Sequence, residues 1–543
     1  MRARIGRRSP KLTKISDMWK KDQVTRVDLD NVMKLDSVQE PPLKEPPKAW
    51  VDNYDFSLDG FAAVGIPRPK TEEQKKELVQ KFLKGLEKEL TAEGNWTFLR
   101  EVLLTLDFCE RCGACADACH VYLGANKNPV YSPLYRTEIL RRIYRRYFTR
   151  TGRALKSFTT GDIDVTWELI SRLIELSYRC NLCRRCAQAC PIGVDNGLIA
   201  REIRKIASQE LGIAAKELHQ RGSVLQLEVG SSTGMNPDGF RRMVKFMEDD
   251  IYERTGKRIG IPVDQKGADI LLIHNAGEFL SWPENPEAFA IIFEEAGLSW
   301  TMSSDKVGYD AANYGVWYDD VQLARVALKH VEVARKLGVN RIVVGECGHA
   351  TKALVVTAER LLTEDNFVPR ESVLPLLAEI VESGKLDLDP VRNDFPVTLH
   401  DPCNIVRLAG IVESSRKVLR RVAPGFREME PHGVCNYCCG GGSGFAIMHS
   451  YNFDQAKYKV FSRMKVKQIM DAFKPELAKP VPKYVCAPCS NCKGELRDII
   501  AHFRLDKDYN VSYGGLADLI VNAMADLPRP FLSLSEQAAA PKR

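Results

Sequence analysis

Cys180-Asn181-Leu182-Cys183-Arg184-Arg185-Cys186-Ala187-Gln188-Ala189-Cys190-Pro191 is the stretch whose reading decides the fold. Its spacing, C-x2-C-x2-C-x3-C, occurs once more, in Cys109-Glu110-Arg111-Cys112-Gly113-Ala114-Cys115-Ala116-Asp117-Ala118-Cys119. This is the run that ligates paired 4Fe–4S clusters, the fourth cysteine serving the other cluster. Three cysteines two residues apart wrap one cube corner by corner, and the fourth leaves on the next helix. The expected pairing is crossed. One cubane cluster takes Cys109, Cys112, Cys115 and Cys190; the other takes Cys180, Cys183, Cys186 and Cys119. Zinc sites use four ligands, commonly as two C-x2-C knuckles, and two four-cysteine runs of identical spacing do not look like that. His120 stands where a proline usually follows, which puts the local turn in question. It follows C-x3-C, not the C-x-x-C-H of haem attachment.

Outward from these runs, Thr137–Thr149 and Asp164–Tyr178 read as helices, so residues 91–225 form a helical ferredoxin domain for two 4Fe–4S clusters. Arg136, Arg141, Arg142, Arg145, Arg146 and Arg150 crowd the space between the runs. They are either a solvated face offsetting anionic clusters or a docking surface for an acidic protein. Residues 1–90 form an extended basic, proline-rich arm and a helix. Glu40–Pro47 holds four prolines, which favours extended chain. Thr71–Thr91 is an amphipathic helix with Leu78, Phe82, Leu86 and Leu90 on one side. Residues 226–266 read as a linker.

From Gly267 the texture changes. Apolar runs at Asp269–Ile273, Arg341–Val344, Pro396–Leu399 and Tyr484–Cys486 alternate with helical stretches at Pro286–Ala296, Asp320–Leu337, Glu371–Glu382, Ile405–Val422 and Asn452–Phe473. That alternation predicts an α/β domain over 267–526 with mainly parallel strands, and 527–543 is a loose tail. The fold class expected is α+β multidomain, an all-helical two-cluster module followed by this α/β domain.

The whole chain has 543 residues, 16 of them cysteine, and a formal net charge of +7. Residues 1–21 carry eight basic side chains against one acid, so the body is formally neutral. A neutral body excludes a broad nucleic-acid surface. No apolar stretch is long enough to span a bilayer, and no apolar segment follows the basic N-terminus as a secretory signal would require. The chain is expected in the cytoplasm. Thiols stay reduced there, so the cysteines read as metal ligands rather than disulfides.

Seven more cysteines form a second set: Cys403 in Leu399-His400-Asp401-Pro402-Cys403, then Cys435, Cys438 and Cys439 before Gly440-Gly441-Gly442, then Cys486, Cys489 and Cys492. Cys403 and Cys486 fall at the C-terminal ends of predicted strands, where α/β sheets present functional groups. A zinc site with buried thiols, or a metal-free redox C-x-x-C at Cys489–Cys492, would leave the Cys438–Cys439 pair with its glycines unexplained. The order C-x34-C-C-G…C-x-x-C resembles the CCG domain of heterodisulfide reductase catalytic subunits. The same domain occurs in the iron–sulfur subunits of glycolate and lactate oxidases. The resemblance implies a non-cubane 4Fe–4S cluster at which disulfides are cleaved. Its catalytic ligands would be Cys403, Cys438, Cys439, Cys489 and Cys492. The gap from Cys439 to Cys489 is long for the motif, which leaves Cys486 and Cys489 open as the alternative pair. Cys435 and Cys486 are spare thiols or further ligands.

Asn313-Tyr314-Gly315-Val316 resembles Asn436-Tyr437-Cys438-Cys439, and Cys347-Gly348-His349 aligns with Cys489-Ser490-Asn491. The α/β domain then reads as duplicated, its first half degenerate and its second half cluster-binding. Cys347 and His349 either line the surviving site or pack inertly. His349 and His400 are proton donors by type or core residues.

Taken in order, the chain resembles the DsrK family, catalytic subunits of the membrane complexes linked to dissimilatory sulfite reductase, and the membrane-linked heterodisulfide reductase subunits of methanogens. That resemblance implies a peripheral place on the inner face of the cytoplasmic membrane. It also implies a cytochrome b partner (DsrM-like) exchanging electrons with quinone, and a small thiol protein (DsrC-like) as disulfide or trisulfide substrate. Two alternatives stand beside it: the iron–sulfur subunit of a flavin-dependent glycolate or lactate oxidase, and a passive electron-transfer subunit.

Overall fold

The computed structural model describes residues 32–35, 38, 40, 41, 65–95, 97–155, 163–448, 456–532 and 534. The basic segment 1–21, most of the proline-rich stretch and the end of the tail lie outside the described residues. The chain divides into two compact units. One is built on residues 43–215 with 448–463; the other is built on 216–447 with 464–543.

The first unit is made of helices, and among its described residues there is no strand. Thr71 accepts a hydrogen bond from the Gln74 amide and starts the helix Glu72–Glu89, as Ser and Thr do at N-caps. Phe82 and Leu86 are buried on its inner side. Gly85 lets it lie close to the helix Asn196–Leu211, since a Cβ there would come within 2.7 Å of Glu210 and 2.9 Å of Ile206. Thr166 and Asp195 cap the helices Trp167–Tyr178 and Asn196–Leu211 in the same way. Pro133–Phe148 begins at a proline, whose missing N–H costs nothing in the first turn.

The second unit holds two four-stranded sheets, parallel throughout. In the first, β1 (Ile270–Ile273), β2 (Trp300–Thr301), β3 (Arg341–Val344) and β4 (Arg370–Ser372) stand in the order β2-β1-β3-β4. In the second, β5 (Val397–Leu399), β6 (Phe426–Glu428), β7 (Lys483–Cys486) and β8 (Val511–Gly514) stand in the order β6-β5-β7-β8. The two orders are the same. Leu399 pairs with Cys486 as Ile273 pairs with Val344, so the loops after β5 and β7 leave one end of their sheet side by side. Ile270, Leu272, Val397, Leu399 and Tyr484 join Phe289 and Leu519 in one apolar core. Parallel strands buried on both faces read as unbroken apolar runs, which is why the four central ones are visible in the sequence.

Three features depart from the pattern read in sequence. The segment expected as a linker carries the helix Pro237–Thr255, capped by Asn236, with Phe240, Val244, Met247 and Ile251 buried in the α/β core. The helix expected over Ile405–Val422 is two, Cys403–Arg407 and Ser414–Val422, because Gly410 turns left-handed between them. The strand β4 occupies the start of the stretch expected as the helix Glu371–Glu382.

Candidate metal centres

The two ferredoxin-type runs take the same path. The residue before the second cysteine, Arg111 or Leu182, has positive φ in each run, and so does the residue after it, Gly113 or Arg184. Three of these four residues carry a Cβ, for which that conformation is costly. Its repetition at matching positions marks a turn that the wrapping of the cysteines requires.

One cavity is lined by Cys109, Cys112, Cys115 and Cys190, with Leu134, Pro191 and Ile192. A second is lined by Cys119, Cys180, Cys183 and Cys186, with His120, Arg136 and Arg179. The structure thus brings together the two crossed sets. Leu134 packs against Cys115 and Cys186. Burial and mutual repulsion push the thiols of Cys115 and Cys119 up to about 12, and Cys186 also lies well above the usual range. Such groups become thiolates together only around a polycationic core, since a coordinated thiol is deprotonated outright. Arg136 is 2% exposed, and its Nε has no hydrogen-bond partner. A buried guanidinium in the wall of a four-cysteine cavity fits an anionic iron–sulfur–thiolate group there. His120 lies in the same wall, with Nε2 2.7 Å from Asn181 Oδ1 and Nδ1 3.9 Å from Cys183 Sγ.

The arginines between the runs separate into two kinds. Arg136 and Arg141 are buried, the latter holding the Glu138 carboxylate through Nε and Nη2 at 2.7 and 2.9 Å. Arg142, Arg145 and Arg146 are partly exposed, and Arg150 is exposed.

The third site sits at the ends of β5 and β7. The ligating atoms of His400, Cys439 and Cys492 all lie within 4.8 Å of one another, and all three residues are buried. His400 Nε2 is 3.2 Å from Cys492 Sγ, and the sulfurs of Cys439 and Cys492 are 3.5 Å apart. Cys438 hydrogen-bonds Cys439, and Cys489 hydrogen-bonds both Cys492 and Cys347. Cys403 is buried at the start of its short helix. The helix Ser490–His502 follows Cys489 directly and carries Cys492 in its first turn. The glycines after Cys439 let this loop close on that helix. A Cβ at Gly441 would stand 2.8 Å from Glu495 Cβ and 2.9 Å from the Asn491 carbonyl oxygen.

Cys347, in the loop after β3, reaches the site from the first sheet, and a Cβ on Gly348 would lie 3.5 Å from Cys489 Sγ. His349 is fully buried, accepts from the Asn313 amide at 3.1 Å and packs on Trp317 with ring centroids 4.2 Å apart. Cys486 sits differently. Its thiol is buried in the strand core and pushed up by burial and by the carboxylates of Glu346 and Asp518. Cys435 is exposed.

Charge is concentrated here. Hydrogen bonds from Cys438 and Cys492 hold Cys439 well below the ordinary thiol range, and those from Cys347 and Cys492 do the same for Cys489. Burial pushes His349 down to about 3, so it is a neutral ring. His400 is also lowered, by burial and by Lys465. Lys465, which no sequence motif singles out, is fully buried and pushed down to about 7 by burial against the attraction of Cys439, Asp401, Cys438 and Cys492. Asp401 is fixed by Arg416 through two contacts of 2.8 Å and accepts from the Gly433 amide at 2.6 Å. A buried set of five cysteines, two of them (Cys439 and Cys489) held well below the ordinary thiol range, beside a histidine and a lysine, has the donor chemistry for an iron–sulfur cluster.

Residues 105–194 match the family described as the 4Fe-4S dicluster domain, and residues 397–497 match the Cysteine-rich domain family, CCG. The chain is similar to the Hdr-like menaquinol oxidoreductase iron-sulfur subunit 2 of Archaeoglobus fulgidus, 28% identical over 469 residues that cover 78% of this chain and 80% of that protein. It is also similar to one subunit of the dihydromethanophenazine:CoB--CoM heterodisulfide reductase of Methanosarcina acetivorans, 24% identical over 359 residues, 63% of this chain and 79% of that one. The EtfAB:quinone oxidoreductase of Syntrophomonas wolfei is 22% identical over 425 residues, 73% of this chain and 55% of that protein. No helix among the described residues is long and apolar enough to cross a membrane.

Proposed function

We propose that this chain, an iron–sulfur oxidoreductase similar to the Hdr-like subunits, is the catalytic subunit of a membrane redox complex. It would pass electrons between a quinone-linked cytochrome b partner and a disulfide or trisulfide, on the inner face of the cytoplasmic membrane. Two cubane clusters, on the crossed cysteine sets, would feed a non-cubane 4Fe–4S cluster held by Cys403, Cys438, Cys439, Cys489 and Cys492. The names of the relatives support a quinol-linked or phenazine-linked complex. The DsrK-type assignment, with a DsrM-like cytochrome and a DsrC-like substrate in dissimilatory sulfur metabolism, is the finer form of the same proposal. The shared strand order of the two sheets supports a duplicated domain, of which only the second half kept its ligand set.

The observation that carries the reading is the convergence of Cys439, Cys492 and His400, with Cys347 and Cys489 beside them, in a chain that also lines two four-cysteine cavities. A cluster bound at the third site would supply iron open to sulfur and accept electrons one at a time. The chain's own residues do the rest. Burial keeps bulk water from the sulfurs, and His400 holds Cys492 in place at 3.2 Å. Opening a disulfide consumes two electrons and two protons and leaves two thiols. His400 Nε2 is the atom placed to hold a proton against sulfur. Cys347 projects from the facing half of the domain and closes the side of the site next to Cys489.

The test is EPR of the anaerobic, iron-replete protein oxidised with a thiol substrate. A substrate-dependent paramagnetic signal is expected, absent in Cys439→Ser while the two cubanes stay reducible. Its absence from the wild-type protein overturns the reading. Unchanged sulfur-substrate turnover in Cys438→Ser would favour the passive electron-transfer subunit, and hydroxyacid oxidation with a co-purifying flavoprotein would favour the oxidase subunit.

A further inference from the structure

Lys465 is a charged group that the scheme above does not use. It lies in the helix Arg463–Ala472 with no exposed surface. Its Nζ donates to Asn436 Oδ1 at 2.8 Å and to Gln468 Oε1 at 2.6 Å, and lies 3.5 Å from Met429 Sδ. All three partners are neutral. Asp401, the carboxylate that acts on it electrostatically, is already held by both Arg416 terminal nitrogens and by the Gly433 amide. The remaining attraction comes from Cys439, Cys438 and Cys492.

An ammonium taken fully out of water is too costly to persist without opposite charge nearby. Here that charge would be the cluster held by the cysteines that Lys465 faces. The geometry has a second consequence. Asn436 stands two residues before Cys438, and Gln468 reaches the Pro431 carbonyl at 2.8 Å, so the lysine's hydrogen bonds also pin the segment that delivers Cys438 and Cys439. A neutral residue of the same length could fill the space but could not balance an anionic cluster.

We propose that Lys465 is the counter-cation of the third site. It is a positioning residue whose hydrogen bond to Asn436 fixes the segment that delivers Cys438 and Cys439, and whose buried charge raises the reduction potential of the cluster they bind with Cys492. The inference rests on the reading of that site as cluster-binding. A fixed positive charge favours the state with the extra electron, and the effect is large because the low-dielectric interior screens it poorly.

The experiment compares wild type, Lys465→Met and Lys465→Arg in the full-length, iron-loaded protein by EPR-monitored redox titration. In the methionine variant the third-site midpoint should fall by at least tenfold in the oxidation equilibrium, about 59 mV for one electron. The arginine variant should stay near wild type, and both cubane signals should hold in all three. An unchanged midpoint in Lys465→Met overturns the inference. Should Lys465→Met fail to load the third site, loading restored in Lys465→Arg supports the charge role, and failure in both overturns it. A wild-type protein with no third-site signal strikes the reading of the site itself, which separates the two failures.

Discussion

Replacing Gly441 with alanine adds one methyl group at the point where the cysteine loop meets the helix that carries Cys492. The backbone there is ordinary, φ −84°, so alanine has no conformational objection. The conflict is steric. The new carbon would stand 2.8 Å from Glu495 Cβ, 2.9 Å from the Asn491 carbonyl oxygen and 3.2 Å from Ala446 Cβ. Comfortable carbon–carbon separations are about 3.5–4.0 Å, so the loop or the helix must retreat by roughly an ångström. Overpacking of this kind costs about 1–3 kcal/mol, and the retreat opens the 3.5 Å contact between Cys439 and Cys492. Gly494 is the internal control. It lies in the same helix, and a Cβ there meets Trp282 at 3.6 Å and Ala446 at 3.8 Å, ordinary contacts. Gly494→Ala should be neutral or stabilising by up to about 1 kcal/mol, the usual gain from removing a helical glycine. Anaerobic urea unfolding with iron analysis reads both outcomes: Gly441→Ala loses stability and third-site iron, and Gly494→Ala keeps both. If the two variants behave alike, the close approach does not govern the site.

Further predictions concern the ligand sets and the buried charges. If the ligation is crossed, Cys112→Ser with Cys190→Ser removes about four irons, because both serve one cluster, and Cys112→Ser with Cys119→Ser removes about eight; equal losses would refute the crossing. Arg416→Ala leaves the buried Asp401 and the half-buried Glu428 carboxylates without their guanidinium, whose contacts are 2.8–2.9 Å. Denaturant unfolding should show a loss of about 3–5 kcal/mol, and a loss below about 1 kcal/mol, the range of exposed pairs, would contradict the buried pairing. Glu287 is buried, and burial followed by Asp250 raises it to about 9 against the pull of Arg254. The folded state therefore keeps a proton that the unfolded chain releases above about pH 4.3. This contribution is present at low pH and falls by about 1.4 kcal/mol per unit as pH rises towards 9. Unfolding measured at pH 6 and 8 should show a shallower decline in Glu287→Gln than in wild type, and parallel declines would remove Glu287 as the source.

Much of this molecule is legible in its sequence, for reasons that differ by element. The central strands β1, β3, β5 and β7 are buried on both faces and appear as apolar runs. The edge strands β2, β4, β6 and β8 are Trp300-Thr301, Arg370-Glu371-Ser372, Phe426-Arg427-Glu428 and Val511-Ser512-Tyr513-Gly514, with charged, hydroxyl or glycine residues where the central strands have an apolar run. Asp320–Leu337 has the same limits in sequence and structure because Asp319 and Gly338 punctuate it. The helix Pro237–Thr255 falls in the stretch expected as a linker, although its signals are present: Asn236 before Pro237, then apolar residues at 240, 244, 247 and 251. The ferredoxin-type cysteines are legible because their spacing alone encodes the wrapping. The third site is legible only in part. Cys403, Cys438, Cys439, Cys489 and Cys492 carry a pattern, but whether Cys347 or Cys486 stands near Cys489 depends on which loop crosses from the other sheet. Lys465 carries no local signal, because its role comes from burial beside groups that are distant in the chain.

The first cavity differs from the second in one simple respect. Cys112 is exposed, and Phe108 and Ile192 beside its companions Cys109 and Cys190 are exposed too, whereas the cysteines of the second cavity are half-buried or buried. An oxidant arriving from water therefore meets the first cavity's sulfur before any other in that unit. Damage in air is ordered within that unit: the thiols of the first cavity oxidise before those of the second. Brief exposure to oxygen followed by thiol labelling should therefore mark Cys112 ahead of Cys119, Cys180, Cys183 and Cys186.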